Sequence, residues 1–402
     1  MYHIVFSADE NYIKYTSVLM TSIVLNTDKE KVYEKNEKYV FHILSNFLSD
    51  GLRKKLTKFE KILNSIFPCQ IKIHIFNDND FKDFPLSGAA HTCKLPYYRL
   101  RLNLIFDDDV EKCLYLDSDM LCLCDIRELF YVDLTDKIIA VVGDPGTKKS
   151  KIKYKENNKK ITLKFDENYF NSGFLLINVK EYKYRNIDKE CQKLAKKCFY
   201  IKAADQDLLN ATIEPRYRIK LNFSYNFNII TLLYAVCSDE KKNRLNYTRA
   251  EFIESMKNPK ILHYGEKPWK FLKSYTDFYG KNINDYWWDI AIKTPIFNKE
   301  LLELKKDINT HLIYAGIGYE VYKALRFFNI IKISNLIKNT LNDKEFIDNQ
   351  KKIKEDIFGL CCMLGEMVMH ARKYKKKSCS VFLKAFKMVK MHKKYANLSR
   401  VD

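Results

Sequence analysis

Two aspartates, Asp117 and Asp119, are the residues of this 402-residue chain whose type and spacing point most directly to chemistry. They follow a short apolar segment with strand propensity, residues 114–116. Side chains two residues apart on an extended chain point the same way, so the two carboxylates can converge on one point. Paired oxygen ligands suit Mg²⁺ or Mn²⁺, which keep coordination positions open for water and phosphates. The alternative interpretation is a solvated Asp-Ser-Asp turn.

A histidine near residue 260 offers a third ligand. His263 ends an apolar segment and is followed by Gly265 and Lys267. A lone histidine is more often a core or capping residue. At the end of a strand, with a lysine behind it, the imidazole can instead supply the nitrogen donor that the two aspartates lack.

The surrounding pattern predicts the elements that would position these side chains. Strands are expected at 2–8, 40–45, 70–76 and 138–142, and helices at 15–25, 52–67 and 187–198. The alternation of strand and helix indicates an α/β fold with a largely parallel sheet. The polar loop 9–12 follows the first strand, where open α/β sheets bind ligands.

Three further segments carry structural expectations. Residues 146–165 are rich in Lys and Asn and predict a mobile surface loop, either a plain insertion or a lid. Residues 171–173 predict a polar turn before an apolar strand, and the second half of 91–106 predicts a helix. Residues 300–337 and 346–369 have a helical pattern, with a break expected around Gly316 and Gly318.

The last thirty residues differ in composition from the rest of the chain. Residues 371–400 contain 11 Lys or Arg and no Asp or Glu, and apolar residues recur at helical spacing from Val381 to Val389. This basic amphipathic pattern is typical of a helix on an anionic membrane surface. The alternatives are a helix packed on the domain by its apolar stripe, and a nucleic-acid contact.

Charge and cysteine usage limit the class of protein. The net charge of +20 indicates a negatively charged partner, such as nucleic acid, anionic lipid or a phosphorylated substrate. The 11 cysteines are scattered and no signal peptide precedes the first strand, so reduced thiols in a cytoplasmic protein are expected. No apolar run approaches the roughly 18 to 20 residues that span a bilayer. A peripheral position on the inner face of the membrane is compatible with this composition.

Six short segments, taken in order, resemble motifs of glycosyltransferase family 8, the retaining enzymes that include bacterial lipopolysaccharide galactosyl- and glucosyltransferases and glycogenin. The segments are VFSADENY at 5–12, YYRL at 97–100, YLDSD at 115–119, FNSG at 170–173, DQD at 205–207 and HYGEKPW at 263–269. The resemblance ends near residue 288. It implies a GT-A fold, a Rossmann-like, mostly parallel sheet flanked by helices, at 1–290. A helical, basic C-terminal extension then covers 291–402.

The resemblance also assigns residues to a UDP-sugar donor and its metal. It implies that Asp117, Asp119 and His263 bind Mn²⁺ or Mg²⁺, within a DXD motif that includes Ser118. Lys267, beside Gly265, would reach the β-phosphate, although it follows His263 by four residues where many members have six. The remaining donor contacts implied are Ala8, Asp9 and Asn11 at the uracil and ribose, Arg99 at the sugar or diphosphate, and His91 in the donor pocket.

The residues implied at the transferred sugar are Asn171, Asp144, Asp205 and Gln206, the last three being the catalytic candidates. The resemblance implies transfer of glucose or galactose to a glycan or lipid-linked glycan acceptor, with no nucleic-acid partner. Because an amide is a poor nucleophile, Gln206 favours front-face transfer over double displacement.

Two other classes of protein remain as alternatives at this point. A metal-dependent nucleotidyl- or phosphotransferase also uses paired carboxylates and basic residues, but it leaves segments 171–173 and 263–269 without a role. A basic nucleic-acid-binding protein would interleave basic and aromatic residues across its main domain. In this chain the acid-free basic run lies in the last thirty residues.

Overall fold

A computed structural model describes residues 1–86, 93–146, 150–231, 246–270, 276–326, 330–338, 355–373, 381 and 383–390. The chain divides into two compact units. The first contains residues 1–268 and 275–299, and the second contains residues 269–274 and 300–402. The nine cysteines within the described ranges are free thiols.

Strands and 3₁₀ helices account for much of the first unit. The strands are β1 (Tyr2–Ser7), β2 (Tyr39–Ser45), β3 (Cys69–Ile75), β4 (Lys112–Leu116), β5 (Met120–Cys122), β6 (Ile139–Gly143), β7 (Lys151–Glu156), β8 (Lys159–Lys164), β9 (Phe170–Asn178), β10 (Cys198–Tyr200), β11 (Arg218–Lys220), β12 (Phe227–Asn228) and β13 (Ile261–His263). The 3₁₀ helices are Asp78–Phe81, Leu95–Leu104, Ile126–Tyr131, Pro215–Tyr217, Phe223–Asn226 and Ile229–Thr231.

The α-helices of the first unit are α1 (Ile13–Leu25), α2 (Asp50–Ile66), α3 (Val179–Tyr184), α4 (Ile187–Lys197), α5 (Ala204–Thr212), α6 (Arg249–Lys257) and α7 (Ile283–Ala291). Those of the C-terminal part are α8 (Asn298–Arg326), α9 (Ile330–Lys338) and α10 (Glu355–Lys373). Residues 383–390 are also helical. Within the described ranges, no helix combines the length and the apolar composition needed to cross a membrane.

A seven-stranded sheet, ordered β11-β6-β9-β4-β1-β2-β3, forms the centre of the first unit. β1 pairs in parallel with β2 and β4, β2 with β3, and β6 with β11, whereas β9 runs antiparallel between β4 and β6. All residues of β1, β2 and β6 are buried. Strands covered on both faces need largely apolar sequences, which explains why these segments were predicted correctly as strands.

The two N-terminal helices show why their sequences fold as predicted. Helix α1 is apolar around most of its surface and buries every residue from Tyr15 to Val24, as expected for a helix packed on all sides. Helix α2 is amphipathic and buries Leu56, Phe59 and Leu63. It begins after Ser49, whose side chain accepts a hydrogen bond from the Leu52 N–H.

The segment predicted as a loop at 146–165 is instead largely a β-hairpin. β7 and β8 pair antiparallel, and the chain turns at Asn157 and Asn158, which have φ of 47° and 60°. Asparagine tolerates this left-handed conformation, and two such residues make a tight hairpin turn. Ile152 and Tyr154 alternate along β7 towards the hydrophobic core. The lysines between them obscure the alternation in the sequence.

A smaller correction concerns the expected polar turn at 171–173. Asn171, Ser172 and Gly173 lie inside strand β9, which begins at Phe170. Antiparallel pairing with β4 places Phe174 opposite Leu116, so the three polar residues of β9 lie beside the carboxyl end of β4. The helix expected in the second half of 91–106 is present as the 3₁₀ helix Leu95–Leu104.

The second unit has its own hydrophobic core, formed by helices α8, α9 and α10 together with Val381, Ala385 and Val389. The break predicted around Gly316 and Gly318 is wrong, because helix α8 continues through both glycines to Arg326. A side chain at Gly318 would overlap the carbonyl of Cys361, and one at Gly365 would overlap that of Tyr314. The glycines therefore allow α8 and α10 to cross in backbone contact.

Candidate active site

The two aspartates lie at the carboxyl edge of the central sheet. Asp117 follows β4, and Asp119 immediately precedes β5. The Asp117 N–H donates to the carbonyl of Gly173 (2.9 Å), which joins the end of β4 to β9. Ser118 turns away between them, and its hydroxyl donates to the carbonyl of Ser7 (2.9 Å). Because β1 and β4 are parallel neighbours, Asp9 after β1 lies at the same edge.

Pairing between β5 and β13 brings His263 to the aspartates from about 140 residues further along the chain. The register places His263 opposite Met120, and the Tyr264 N–H donates to the carbonyl of Asp119 (2.8 Å). Nε2 of His263 lies 3.4 Å from Oδ1 of Asp119 and 3.9 Å from Oδ2 of Asp117. One potential ligand atom from each of the three residues lies within 4.8 Å of the others.

This set of donors fits a divalent cation. Two carboxylates and a neutral imidazole nitrogen are ligands that Mn²⁺ accepts, and the carboxylates also suit Mg²⁺. Gly173 leaves the room they need, since a Cβ atom there would lie 2.6 Å from Oδ2 of Asp117 and 2.8 Å from Cε1 of His263. The predicted metal ligands therefore come together with space between them.

Arg99 forms the positive centre of the site. Its guanidinium contacts Asp117 (Nη2 to Oδ1, 2.8 Å) and Asp205 (Nε to Oδ2, 3.2 Å), and Nη1 donates to the carbonyl of Ser172 (2.7 Å). Burial raises the pKa of Asp205 to about 6, although the Arg99 charge opposes this rise. Burial also disfavours the charged guanidinium, but the two carboxylates outweigh it and raise the pKa of Arg99.

Lys267 contributes a second cation. Its Nζ lies 2.7 Å from Oδ2 of Asp119. Burial would raise the pKa of Asp119, but the charges of Lys267 and His263 hold that pKa below its usual range. In turn, Asp119 raises the pKa of His263 and of Lys267 against the opposing effect of burial. The shorter spacing from His263 thus still brings Lys267 to Asp119.

Amide and carboxylate side chains are linked beside these charges. Asn171 Nδ2 donates to Gln206 Oε1 (3.0 Å), and Gln206 Nε2 donates to Asp144 Oδ2 (3.1 Å). Gln206 and Asp205 lie in the first turn of α5. That turn is fixed by buried Asp207, which accepts hydrogen bonds from the N–H groups of Lys202 and Ala203 (2.8 Å each). Side chains from β9, α5 and the end of β6 therefore meet at one place.

Sequence comparison identifies what kind of protein carries this site. Residues 3–273 match the family described as "Glycosyl transferase family 8". The chain belongs to glycosyltransferase family 8. It is an enzyme that transfers glycosyl groups, and the phosphotransferase alternative is set aside.

Individual relatives agree with this assignment. This glycosyltransferase is 29% identical to a lipopolysaccharide 1,2-glucosyltransferase of Escherichia coli, covering 82% of this chain and 91% of that protein. It is 23% identical to a lipopolysaccharide 1,3-galactosyltransferase of Salmonella typhimurium, covering 80% and 89%. In fold it is similar to an active-site mutant of LgtC, with a TM-score of 0.53 and 21% identity, covering 72% of this chain and 95% of LgtC. The GT-A fold is confirmed.

The predicted site residues of the glycosyltransferase mostly line one cleft of about 460 Å³. Those in its lining are Asp9, Arg99, Asp117, Ser118, Asp119, Asn171, Asp205, Gln206, His263, Gly265 and Lys267. Asp144 is not part of this lining, but its Oδ2 accepts a hydrogen bond from Nε2 of Gln206. Ala8 is buried and Asn11 is exposed, and neither belongs to the lining. His91 lies outside the described residues.

Other lining residues of the glycosyltransferase were not selected from the sequence. They include Tyr12 and Ser172, which stand inside the segments 5–12 and 170–173 and could have been chosen on that ground. Cys93, Leu95, Ala203, Ala204 and Asn228 also line the cleft. Neither the type nor the spacing of these five residues identifies them as site residues. The tertiary structure brings them to the cleft.

Proposed function

We propose that this glycosyltransferase is a retaining hexosyltransferase. It takes glucose or galactose from a UDP-sugar, with Mn²⁺ as the preferred metal, and transfers it to a glycan acceptor. The observation that carries the proposal is the convergence of Asp117, Asp119 and His263 in a cleft that also presents Arg99 and Lys267. A divalent cation held by the three ligands, together with the two positively charged side chains, would offset the negative charge of a nucleotide diphosphate.

The chain's own cations would hold the departing diphosphate. A divalent cation bound by the three ligands would supply Lewis-acid neutralisation of the two phosphates. Lys267 would reach the β-phosphate, and Arg99, fixed by Asp117 and Asp205, would orient the sugar or diphosphate. Groups held in place before substrate binds stabilise developing charge without reorganisation. We assign Ala8, Asp9, Asn11 and His91 to the uracil and ribose end of the donor.

Gln206 is proposed to face the anomeric carbon. Its Oε1 accepts from the Ser172 N–H (3.1 Å) and from Asn171, and its Nε2 donates to Asp144. An amide engaged at both ends is a poor nucleophile, which supports front-face attack by the acceptor within an ion pair. In this mechanism the leaving phosphate helps to remove the acceptor proton. Asp144, Asp205 and Asn171 then surround the developing positive charge and contact sugar hydroxyls.

The acceptor is proposed to be a glycan of lipopolysaccharide, lipooligosaccharide or another surface polymer, free or lipid-linked. The names of the Escherichia coli and Salmonella typhimurium relatives support this class of acceptor, because both alignments extend over most of each chain. An acceptor of that kind is built at the inner face of the cytoplasmic membrane. We therefore propose a cytoplasmic enzyme that can bind that face.

We propose that residues 1–290 catalyse transfer and that residues 291–402 provide the surface that meets lipid or acceptor. Within residues 371–400, the described part shows Val381, Ala385 and Val389 buried in the core of the second unit. That burial favours the packed-helix alternative for this stripe. Among the described residues of this segment, Leu383 and Phe386 remain exposed beside lysines, and we propose that they take part in the membrane contact.

The test is release of UDP by the purified protein with Mn²⁺, offering UDP-glucose, UDP-galactose and UDP-N-acetylhexosamines separately. We expect slow hydrolysis of a UDP-hexose that EDTA abolishes and Mn²⁺ restores. Asp117→Ala and Asp119→Ala are expected to remove hydrolysis. Thr57→Ala on the exposed face of α2 is a matched surface control and should behave as the unaltered enzyme.

Calorimetry separates binding from turnover in the same experiment. A UDP-hexose should bind in the presence of Mn²⁺ and bind weakly without it. If no UDP-sugar binds or is hydrolysed, the assignment of a UDP donor fails. If only an N-acetylhexosamine donor reacts, the hexose assignment fails while the transferase class stands.

A further inference from the structure

Asn226 is a buried residue behind His263 that no sequence motif singled out. It ends the 3₁₀ helix Phe223–Asn226 and is 2% exposed. Its Oδ1 lies 2.9 Å from Nδ1 of His263, on the opposite side of the ring from the aspartates. Its Nδ2 donates to Oδ1 of Asn171 (2.9 Å). Asn226 thus touches both the metal-ligand side and the sugar side of the cleft.

Backbone N–H groups fix the direction of two amides in this network, those of Gln206 and Asn171. A backbone N–H can only donate, so the oxygen it contacts is identified without ambiguity. The Ser172 N–H donates to Oε1 of Gln206, and the Gly173 N–H donates to Oδ1 of Asn171 (3.0 Å). Asn171 therefore presents its amino group to Gln206 and its oxygen to Asn226.

The direction of the Asn171 amide also determines which ring nitrogen of His263 carries the hydrogen. Since Asn171 offers Asn226 an oxygen, Asn226 must turn its amino group towards it. That leaves the Asn226 oxygen facing Nδ1 of His263, so Nδ1 must carry a hydrogen and donate it. In the neutral imidazole, Nε2 then holds the lone pair and faces Asp117 and Asp119.

We propose that Asn226 is a positioning residue that holds His263 as the Nδ1–H tautomer, with Nε2 directed to the metal, and that joins this ring to Asn171 and Gln206. The inference rests on the proposed function in one respect, the role of His263 as a metal ligand. Histidine ligands generally donate their second ring N–H to an oxygen, which sets the ring's orientation and raises its basicity. Asn226 supplies that oxygen here.

The hydrogen bonds continue from Asn226 to the catalytic candidates. They run in one direction, from His263 through Asn226, Asn171 and Gln206 to Asp144. Each amide in the series is hydrogen-bonded through both its oxygen and its amino group. Turning one amide around would therefore place oxygen against oxygen, or donor against donor, at its contacts with its neighbours. Asn226 therefore couples the position of the metal ligand to the position of the amide that faces the sugar.

Two substitutions of Asn226 separate these roles. Asn226→Ala removes the acceptor for Nδ1 and the donor to Asn171. Asn226→Asp keeps an acceptor for Nδ1 but loses the donor to Asn171. We expect Asn226→Ala to weaken Mn²⁺ binding to the donor-free protein by roughly 10- to 100-fold, measured by calorimetry or by the Mn²⁺ electron paramagnetic resonance signal. Asn226→Asp should bind Mn²⁺ as tightly as the unaltered protein yet hydrolyse the donor with a lower kcat.

The control is Asn178→Ala. Asn178 caps α3 at the opposite end of β9 from the site, so its loss should lower the melting temperature without changing Mn²⁺ affinity. The proposal is overturned if folded Asn226→Ala binds Mn²⁺ as well as the unaltered protein, or if Asn226→Asp binds as weakly as Asn226→Ala. Either result would mean that Asn226 only satisfies buried polar groups.

A second measurement needs no metal. Long-range ¹⁵N–¹H correlation spectra distinguish the two imidazole tautomers, and the His263→Gln variant identifies the signal. At alkaline pH, where the imidazole is neutral, the metal-free protein should show Nδ1–H at His263, and Asn226→Ala should show a mixture. An Nε2–H signal in the unaltered protein would overturn the proposal. Failure of the unaltered protein to bind Mn²⁺ would count against the proposed function, while the tautomer result would still decide the role of Asn226.

Discussion

Arg99 shows how individual charges are arranged in this cleft. Its side chain is 7% exposed, and its planar guanidinium bonds in different directions to Asp117, Asp205 and Ser172. A buried charge is stable only when it is paired and hydrogen-bonded. A lysine could not make these contacts at once, because its ammonium is a single point charge. Arg99 therefore both keeps the aspartates together and presents positive charge to the cleft.

Gly173 makes the first prediction at the scale of residues. In Gly173→Ala the new methyl group would lie within 3 Å of Asp117, Asn171 and His263, so all three must move. We expect metal affinity and donor hydrolysis to fall by roughly a hundredfold, because displacements near 1 Å have effects of that size. Manganese titration and UDP release measure the two losses.

The matched control for this glycine is Gly51, in the first turn of α2. A methyl group there meets nothing within 4 Å. Gly51→Ala should leave activity unchanged and raise stability by up to about 1 kcal/mol, since alanine favours the helix. If Gly173→Ala were as active as Gly51→Ala, the close packing of the metal ligands around Gly173 would be wrong.

At the scale of elements, strand pairing also creates a row of histidines. His3, His42 and His74 lie on β1, β2 and β3. Nδ1 of His3 is 3.0 Å from Nε2 of His42, and Nδ1 of His42 is 3.0 Å from Nε2 of His74. Burial lowers the pKa of His3 to about 4 and, together with the two neighbouring histidines, that of His42 to about 2. Burial also lowers the pKa of His74.

This row predicts acid sensitivity of the folded protein. Because the folded pKa values lie below the unfolded value near 6.5, the unfolded chain binds more protons in acid, and stability falls as pH drops below about 6.5. His42→Gln removes one titrating group and can keep hydrogen bonds to both neighbours. Between pH 6.5 and 4.5, the free energy of unfolding should therefore fall by about 2 to 3 kcal/mol less in the variant than in the unaltered protein. Urea titrations across this pH range measure it, and an equal loss in the variant would contradict the prediction.

The crossing of α8 and α10 gives a second prediction for elements. Helices rarely approach closely enough for backbone contact unless both carry small residues. Here Gly318 faces Cys361, and Gly365 faces Tyr314. Gly318→Ala should destabilise the second unit by about 1 to 3 kcal/mol through overpacking, although alanine favours a helix. Met363→Ala, at a half-exposed position of α10, should change stability little. Thermal unfolding of the two variants compares them, and equal stability would contradict backbone contact.

For the molecule as a whole, charge is the dominant surface property. The chain carries 70 Lys and Arg against 50 Asp and Glu. Such an excess favours association with any polyanion, whether a lipid surface, a phosphorylated glycan or nucleic acid. The exposed side chains of residues 383–390, Leu383, Lys384, Phe386, Lys387 and Lys390, combine this charge with apolar groups. They are the described part of the membrane contact proposed above.

That contact gives a prediction for the intact protein. Replacing Lys384, Lys387 and Lys390 together by glutamine should weaken binding to vesicles containing anionic lipid by roughly a hundredfold, at about 1 kcal/mol per lysine. Vesicle sedimentation at low and high salt measures this effect. Lys54, Lys58 and Lys61 on the exposed side of α2 provide a triple glutamine control of equal charge. Equal loss in both triple variants would show that net charge, and not residues 383–390, governs binding.

The sequence alone predicted many of the strands and helices of the first unit, and it identified the family. The short apolar runs at 2–8 and 40–45, alternating with helical patterns, predicted strands of a largely parallel sheet, because strands covered on both faces are nearly continuously apolar. Asp117, Asp119 and His263 could be chosen because metal binding restricts residue type, and the strand ends restrict their position. The hairpin of β7 and β8 was missed because its lysines mask the alternation of Ile152 and Tyr154. The continuity of α8 was missed because a glycine can mark either a helix break or a close helix crossing.

Only the tertiary structure decided which distant residues meet. The pairing of β13 with β5 brings His263 to Asp117 and Asp119, and the 3₁₀ helix before β12 places Asn226 at the other side of the imidazole ring. Neither contact follows from local sequence, because pairing between strands more than a hundred residues apart depends on how the whole first unit folds. Residue type can restrict the chemistry of a site, but distances, burial and hydrogen-bond direction arise from packing, and these decide which candidate residues act together.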